Sequence, residues 1–146
     1  MLHLPDARPT LIDGDLVLRP WQLADADAVY EACQDPIIQM YTTVPVPYTR
    51  EHAEAFVTSR ASLPIDADLG CAMVWQGQLA GSMSLHHIQV FDHIAELGYW
   101  IVTEFRGKGL ASRGAKLLCD YGFSLGLRRI SALALPENEA SRRTAL

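Results

Sequence analysis

The segment that most constrains the fold of this chain is a glycine-rich turn, Arg106-Gly107-Lys108-Gly109-Leu110-Ala111. It follows Ile94 to Val102, a run rich in β-branched and aromatic residues that is typical of a strand. A helix-like run then extends from about Leu110 to Gly126. Glycines allow positive φ and a close ligand approach, and the first amides of a helix have no partner inside it. Strand, turn and helix together predict a phosphate-binding site.

Two common phosphate motifs do not match this turn. A P-loop needs a lysine directly after its second glycine, but Gly109 is followed by Leu110. A dinucleotide-binding fingerprint needs a third glycine, and Ser112 stands at that position. That fingerprint also belongs to the first βαβ unit of its fold, whereas this turn comes late in the chain. The turn therefore belongs to another class of phosphate site.

The turn resembles the acyl-CoA turn of the GNAT acetyltransferases, Gln/Arg-x-x-Gly-x-Gly/Ala, with Arg106, Gly109 and Ala111 at the defining positions. Other parts of the chain resemble the RimJ/RimL-like branch of that superfamily in order and spacing. These segments are Leu-Val-Leu-Arg-Pro-Trp (16–21), Asp-Ala-Asp-Ala (25–28), Glu-Leu-Gly-Tyr-Trp-Ile (96–101) and Pro-Glu-Asn-Glu-Ala-Ser-Arg-Arg (136–143). Because they extend over almost the whole chain, the set is far more specific than the turn alone.

Hydrophobic patterning predicts an α/β (α+β) chain with the element order ββ-α-α-βββ-α-β-α. The resemblance implies the GNAT fold, a mixed central sheet flanked by helices and splayed between its fourth and fifth strands. Those two strands are here Ile94 to Val102 and the strand from Arg129 to Leu135. We expect one GNAT domain over residues 1–146, truncated at its C-terminal end because the family's last two strands have no counterpart. Either the chain is a fragment, or its ending has diverged and another chain covers the edge.

Several local signals predict individual turns and caps. Asp13-Gly14 favours a tight hairpin turn, and Gly77 separates two strands. Asp25 and Thr49 are suitable N-caps for the first two helices. A glycine inside a strand marks a bulge or a close approach of the backbone, so Gly98 is expected to be one of these, or simply to permit tight packing.

The resemblance also implies how acetyl-CoA is bound. Amides of the turn and the charges of Arg106 and Lys108 would hold the pyrophosphate, while the backbone before the turn would pair with pantetheine and polarise the thioester. Asn138 would hydrogen-bond CoA or fix its loop, or else only cap the last helix. The implied cofactor-binding residues are Trp100, Ile101, Val102, Arg106, Gly107, Lys108, Gly109, Leu110, Ala111 and Asn138.

Two residues are catalytic candidates by the same resemblance. Glu96, ten residues before Arg106, would be the general base that takes a proton from the incoming ammonium, directly or through water. Alternatively, Glu96 is an ordinary strand carboxylate that faces solvent or pairs with an arginine. Ser141 would protonate the leaving thiolate, or it is only a serine in the first turn of the last helix.

A metal site is not expected. His86 and His87 are adjacent in a predicted strand, so their side chains should point to opposite faces. No carboxylate or cysteine stands at ligand spacing nearby in the sequence. A histidine that assists proton transfer near the acceptor is the alternative for this segment.

Composition limits the partners. A net charge of −5 without a basic stripe argues against nucleic-acid binding, and no apolar run approaches the length of a membrane span. Cys33, Cys71 and Cys119 are far apart and odd in number, which favours buried thiols in the cytoplasm over a disulfide framework. No signal peptide is predicted at the N-terminus. A homodimer would be one way to cover an unpaired edge strand.

The predicted function is an acetyl-CoA-dependent N-acetyltransferase that uses direct transfer in a ternary complex. Its acceptor would be a primary amine, either a protein N-terminal α-amine or a small-molecule amine. The alternative is a non-catalytic CoA-binding module or a truncated pseudoenzyme.

Overall fold

A six-stranded mixed sheet organises the chain in a computed structural model that describes residues 2, 4, 5, 7–36, 38, 46–62 and 68–132. All neighbouring strands are antiparallel except β5 and β6, which are parallel. The sheet order is β1-β2-β3-β4-β5-β6. The strands are β1 (Leu11–Asp13), β2 (Leu16–Arg19), β3 (Asp68–Trp75), β4 (Gln78–Gln89), β5 (Ile94–Ile101) and β6 (Arg129–Ala132).

Within the described residues, three α-helices accompany this sheet: α1 (Ala26–Ala32), α2 (Arg50–Ser62) and α3 (Leu110–Ser124). The prediction of a mixed sheet flanked by helices is therefore confirmed. Asn138 and Ser141 lie outside the described residues, as does the chain beyond Ala132. None of the helices in the described part of the chain has the length and apolarity needed to cross a membrane.

Each face of the sheet has its own core. Leu16, Met73, Met83, Leu85 and Leu97 pack with Leu110, Ala115 and Leu118 of α3. These α3 residues recur at helical spacing, which explains why this helix forms here and turns that side to the sheet. The opposite face packs on α1 and α2 through Trp21, Val29, Val57 and Ala72.

The predicted N-caps have different outcomes. Thr49 caps α2 as predicted, because its hydroxyl accepts from the His52 amide at 3.2 Å while His52 Nδ1 accepts from the Thr49 amide at 3.0 Å. Asp25 precedes α1 but makes no capping bond to that helix. Its carboxylate instead accepts from the Gln22 amide at 2.8 Å and from both terminal nitrogens of Arg19 at 2.9 and 2.8 Å. Asp25 therefore ties α1 to β2.

The strand glycines and turns differ in detail from the sequence prediction. The first hairpin turn is centred on Gly14 and Asp15, one residue later than predicted. Gly98 lies in an uninterrupted stretch of the β4–β5 ladder, so it does not mark a bulge. A Cβ at Gly98 would lie 2.6 Å from His86 Cε1, which identifies this glycine as the space for the His86 ring.

Candidate functional site

The glycine-rich turn opens the N-terminus of α3. Gly107 and Gly109 have φ of 77° and 75°, and a Cβ at either position would meet no heavy atom within 4 Å. The first bond within α3 runs from the Arg113 amide to the Gly109 carbonyl at 3.1 Å. The amides of Leu110 and Ala111 precede it and have no acceptor inside the helix. The turn therefore offers backbone donors beside open space, and it fits a phosphate group.

The two cations of the turn have different surroundings. Arg106 Nε donates to the Ile101 carbonyl at 3.1 Å, and Arg106 Nη2 lies 3.0 Å from Asp35 Oδ2. The Arg106 guanidinium therefore fixes the turn to β5 and to the residues after α1. Lys108 Nζ lies 5.7 Å from the centre of the Trp75 ring. Lys108 thus supplies positive charge that no described carboxylate neutralises by an ion pair.

The backbone of β5 changes its environment along the strand. Pairing with β6 covers Ile94 to Leu97, while β5 continues to Ile101, and no described strand pairs with its last four residues on the β6 side. The Val102 amide donates to the Ala80 carbonyl of the β4 side at 2.8 Å. Backbone groups alternate between the two sides of a strand, so Trp100 also faces β4. The groups directed toward the β6 side belong to Tyr99 and Ile101.

This alternation refines the sequence expectation for pantetheine binding. The backbone groups of Trp100 and the amide of Val102 are directed at β4, and the Val102 carbonyl accepts from the Phe105 amide at 2.9 Å. These groups are therefore already engaged and do not face a ligand on the β6 side. The expectation for Ile101 is compatible with the register. The register also directs the backbone groups of Tyr99 to the β6 side, and Tyr99 is not among the residues expected from the sequence. The alternation of backbone groups along a strand is the signal that points to this position.

Glu96 lies beside two histidines on the sheet face opposite α3. Its Oε2 is 2.5 Å from His87 Nδ1 and 3.6 Å from His86 Nε2. The prediction that His86 and His87 point to opposite faces is wrong, and Glu96, which is not close to them in the sequence, lies beside both rings. The β4–β5 register shifts between His86 and Gln89, and His87 adopts a φ of 50°, so the two rings lie 4.8 Å apart. The bulge overrides the alternation of a regular strand.

The cysteines do not offer a nucleophile here. Burial raises the pKa of the Cys33 thiol to about 11, and burial also raises the pKa of Cys119. Cys33 and Cys71 are buried thiols, as predicted, and Cys119 is partly buried. Thiolate attack therefore requires an energetically unfavourable deprotonation at Cys33.

The chain is similar to known proteins in sequence and in fold. YdaF of Bacillus subtilis, named a putative ribosomal N-acetyltransferase, is 39% identical over 71 residues, which is 48% of this chain and 39% of that protein. The spermidine N(1)-acetyltransferase of Escherichia coli K12 is 42% identical over 64 residues, which is 43% of this chain and 34% of that protein. This chain thus spans well under half of either relative in these matches.

A solved structure of RimL, a ribosomal L7/L12 α-N-protein acetyltransferase in complex with coenzyme A, shares the fold with a TM-score of 0.85. The identity is 21%, and the similarity covers 93% of this chain and 80% of that one. A family model described as the acetyltransferase (GNAT) domain matches residues 15–146. The chain belongs to the GNAT family of acetyltransferases.

Proposed function

We propose that this chain transfers an acetyl group from acetyl-CoA to a primary amine in a ternary complex. The observation that carries this proposal is the juxtaposition of the positive-φ turn at Gly107 and Gly109 with the last four residues of β5. In that arrangement the helix amides bind phosphate, and a strand edge lies beside them for an extended ligand. Family membership and the coenzyme A named in the RimL structure support the same ligand.

The turn and β5 divide the binding of acetyl-CoA between them. Amides of Gly107 to Ala111 and the ammonium of Lys108 hold the pyrophosphate, which charge-assisted hydrogen bonds favour. Arg106 positions this turn through Ile101 and Asp35. Backbone groups of Tyr99 and the amide of Ile101 pair with pantetheine, and Asn138 remains our proposed further contact.

The chemistry requires a neutral amine and a stabilised oxyanion. Acetyl-CoA supplies an activated thioester when it is bound. The Glu96 carboxylate accepts the ammonium proton, and His87 Nδ1, at 2.5 Å from Oε2, is placed to share it. A backbone amide of β5 donates to the oxyanion of the tetrahedral intermediate. Ser141 is proposed to return a proton to the leaving thiolate.

The relatives and the net charge support the proposed acceptor class. YdaF is named for ribosomal N-acetylation, and the Escherichia coli relative is named for spermidine. Both acceptors offer a primary amine that is cationic before transfer, and the net charge of −5 attracts such groups. We place the chain in the RimJ/RimL-like branch, with a protein N-terminal α-amine or a small-molecule amine as acceptor.

Binding is tested by calorimetry with acetyl-CoA on the parent chain, Gly109→Trp and Gly77→Trp. Both glycines have positive φ and empty space beyond their Cβ positions, so the backbone strain is matched. The indole at position 109 occupies the phosphate site, whereas Gly77 lies in the β3–β4 turn. We expect saturable binding by the parent and Gly77→Trp and a loss of at least tenfold in affinity for Gly109→Trp. Absence of binding by the parent chain would overturn the proposal.

Turnover is tested with Glu96→Gln, which removes the proton acceptor but keeps the side-chain shape. We expect unchanged acetyl-CoA affinity and a fall in turnover of about 10²- to 10⁴-fold, the usual contribution of general-base catalysis. The control is Asp120→Asn, which removes a carboxylate from an exposed pair with Lys116 on α3. If the parent binds acetyl-CoA but acetylates neither peptide N-termini nor polyamines, the chain is a CoA-binding module instead.

Cellular context is part of this proposal. We propose a cytoplasmic enzyme whose partners are acetyl-CoA and the amine, without nucleic acid and without a metal in the transfer step. A homodimer is the proposed assembly, and light scattering of the purified chain measures it directly. A monomeric mass at assay concentrations would contradict the proposed homodimer.

A further inference from the structure

Two imidazoles and a carboxylate converge on one side of the β4–β5 hairpin. His86 offers Nε2, His87 offers Nδ1 and Glu96 offers Oε2, and these ligand atoms all lie within 4.8 Å of one another. They stand on the sheet face opposite α3, where Glu96 and His86 are direct cross-strand partners. Amine deprotonation needs one acceptor, so the transfer reaction proposed above does not explain why two histidines share this carboxylate.

The backbone is distorted in the way that brings these groups together. His87 has a φ of 50°, a conformation that residues with a Cβ adopt rarely, and it sits in the bulge between His86 and Gln89. Without this bulge its side chain would point to the α3 face. The side chain of His87 is 73% exposed and that of Glu96 is 51% exposed, so both remain accessible to ions in solution.

His86 has the second contact that a metal-binding histidine usually has. Its Nδ1 lies 3.2 Å from Ser84 Oγ, which leaves Nε2 directed at Glu96. The ring fits over Gly98, where a Cβ would come within 2.6 Å of it. Hydrogen bonding of the remote ring nitrogen fixes the orientation and tautomer of such ligands.

We propose that His86, His87 and Glu96 form a binding site for a divalent transition-metal ion of the Zn²⁺ class. Two imidazoles and one carboxylate suit such ions, with water at the remaining position. Zinc–ligand distances near 2 Å imply a spacing of about 3.3 Å between tetrahedral ligands. The contact between His87 and Glu96 is shorter, so their exposed side chains must separate slightly to admit the ion.

The site would also regulate transfer, a consequence that rests on the proposed function. An ion held by Glu96 occupies the carboxylate that accepts the amine proton. Zn²⁺ would therefore inhibit acetyl transfer without displacing acetyl-CoA from the α3 turn. Metal binding itself is independent of whether the chain is an acetyltransferase.

The test measures Co²⁺ binding by visible absorption and Zn²⁺ binding by competition, on the full chain and three variants. His87→Asn removes one ligand, and asparagine tolerates its positive φ. His93→Asn is the matched control because His93 has a φ of 61° and is outside the cluster. Ser84→Ala removes the contact to His86 and should weaken binding by about tenfold, as second contacts do. We expect one ion per chain, unchanged in His93→Asn and weakened more than tenfold in His87→Asn.

Two results would overturn the site: no saturable Co²⁺ spectrum for the parent chain, or equal Zn²⁺ affinity for His87→Asn and His93→Asn. Circular dichroism confirms that the variants are folded before they are compared. Acetyl-CoA calorimetry and chelator-treated turnover are measured in parallel. If the chain binds metal but does not acetylate amines, the metal site is supported and the proposed function is wrong. If it acetylates amines but does not bind metal, the proposed function is supported and the metal site is wrong.

Discussion

The two faces of the central sheet are built in different ways. Under α3 the contact is apolar, and Met73, Met83, Leu85 and Leu97 are buried against Leu118 and its neighbours. The face toward α1 and α2 has a smaller apolar core around Trp21 and Val57, and it also carries a polar row along β4 and β5. That row comprises Ser82, Ser84, His86 and Glu96.

The α3 face mainly stabilises the fold, whereas the opposite face carries the polar groups on which the proposed chemistry depends. Apolar burial is not directional and depends mainly on area and volume, so the α3 face tolerates changes of shape better than changes of size. Hydrogen bonds and metal ligands depend on direction, so the opposite face depends on strand register and on the bulge at His87. The three predictions below test this division.

The largest stability effect is expected at Leu118, whose side chain is fully buried between α3 and the sheet. Leu118→Ala leaves a cavity and should lower the free energy of unfolding by about 3–5 kcal/mol. Phe123→Ala on the same helix is the control, because Phe123 is 47% exposed and its loss should be much smaller. Urea unfolding of both variants measures the difference. Equal losses would show that burial of Leu118 against the sheet is not what stabilises the α3 side.

The sequence predicted the α3 side of the molecule well. Helical spacing of Ala111, Ala115, Leu118, Cys119 and Phe123 predicted α3, and the structure buries Ala115 and Leu118 but leaves Phe123 47% exposed. This spacing and the glycines of the turn are local signals, which are readable without tertiary structure. Thr49 as the cap of α2 belongs to the same class. The family resemblance added the mixed sheet, which periodicity alone does not specify.

The polar face could be predicted only in part. Glu96 was identified as a candidate, but its partners depend on a bulge that places His87 beside His86, and no local signal marks that bulge. Arg106 was recognised as part of the turn, yet its pairing with Asp35 joins residues far apart in the sequence. Asp25 was expected to cap α1 and instead binds Arg19 and Gln22. Such contacts are set by tertiary packing.

The second prediction compares two glycines at the β4–β5 ladder. A Cβ at Gly81 would lie 2.2 Å from the Trp100 carbonyl oxygen, whereas a Cβ at Gly98 would meet the His86 ring. A backbone atom moves only if the strands separate, but a partly exposed ring can rotate. Gly81→Ala should therefore destabilise by about 3 kcal/mol, the upper part of the overpacking range.

For Gly98→Ala we expect at most about 1 kcal/mol, because the β propensity gained offsets part of the strain. The displaced His86 ring should nevertheless weaken Zn²⁺ binding. Thermal unfolding and metal titration of both variants give the two readouts. A larger loss of stability for Gly98→Ala than for Gly81→Ala would contradict this account of the ladder.

The smallest of the three effects concerns the ion pair that ties α1 to the sheet. Burial raises the pKa of the Asp25 carboxyl, but hydrogen bonds from the Arg19 guanidinium and the Gln22 amide outweigh it, so this pKa lies below its usual range. The folded chain therefore binds the Asp25 proton more weakly than the unfolded chain does. The stability contributed by this carboxylate is complete above the unfolded pKa of about 3.9, and it is lost as the pH falls through the folded pKa.

Asp25→Asn should accordingly lower the free energy of unfolding by about 1.5 kcal/mol at neutral pH, the size expected when a charged hydrogen-bond partner is lost. The gap to the parent chain should narrow below about pH 4, since the parent carboxyl is then protonated as well. Asp27→Asn is the control, because Asp27 pairs with Arg50 on the exposed surface, where such pairs contribute little. Urea unfolding from pH 3 to pH 7 measures the gap in unfolding free energy between the parent chain and Asp25→Asn. If that gap stays constant over the range, the charge of the Asp25 carboxylate does not stabilise the fold, and the attachment of α1 to the sheet rests on the apolar packing around Trp21 and Val29.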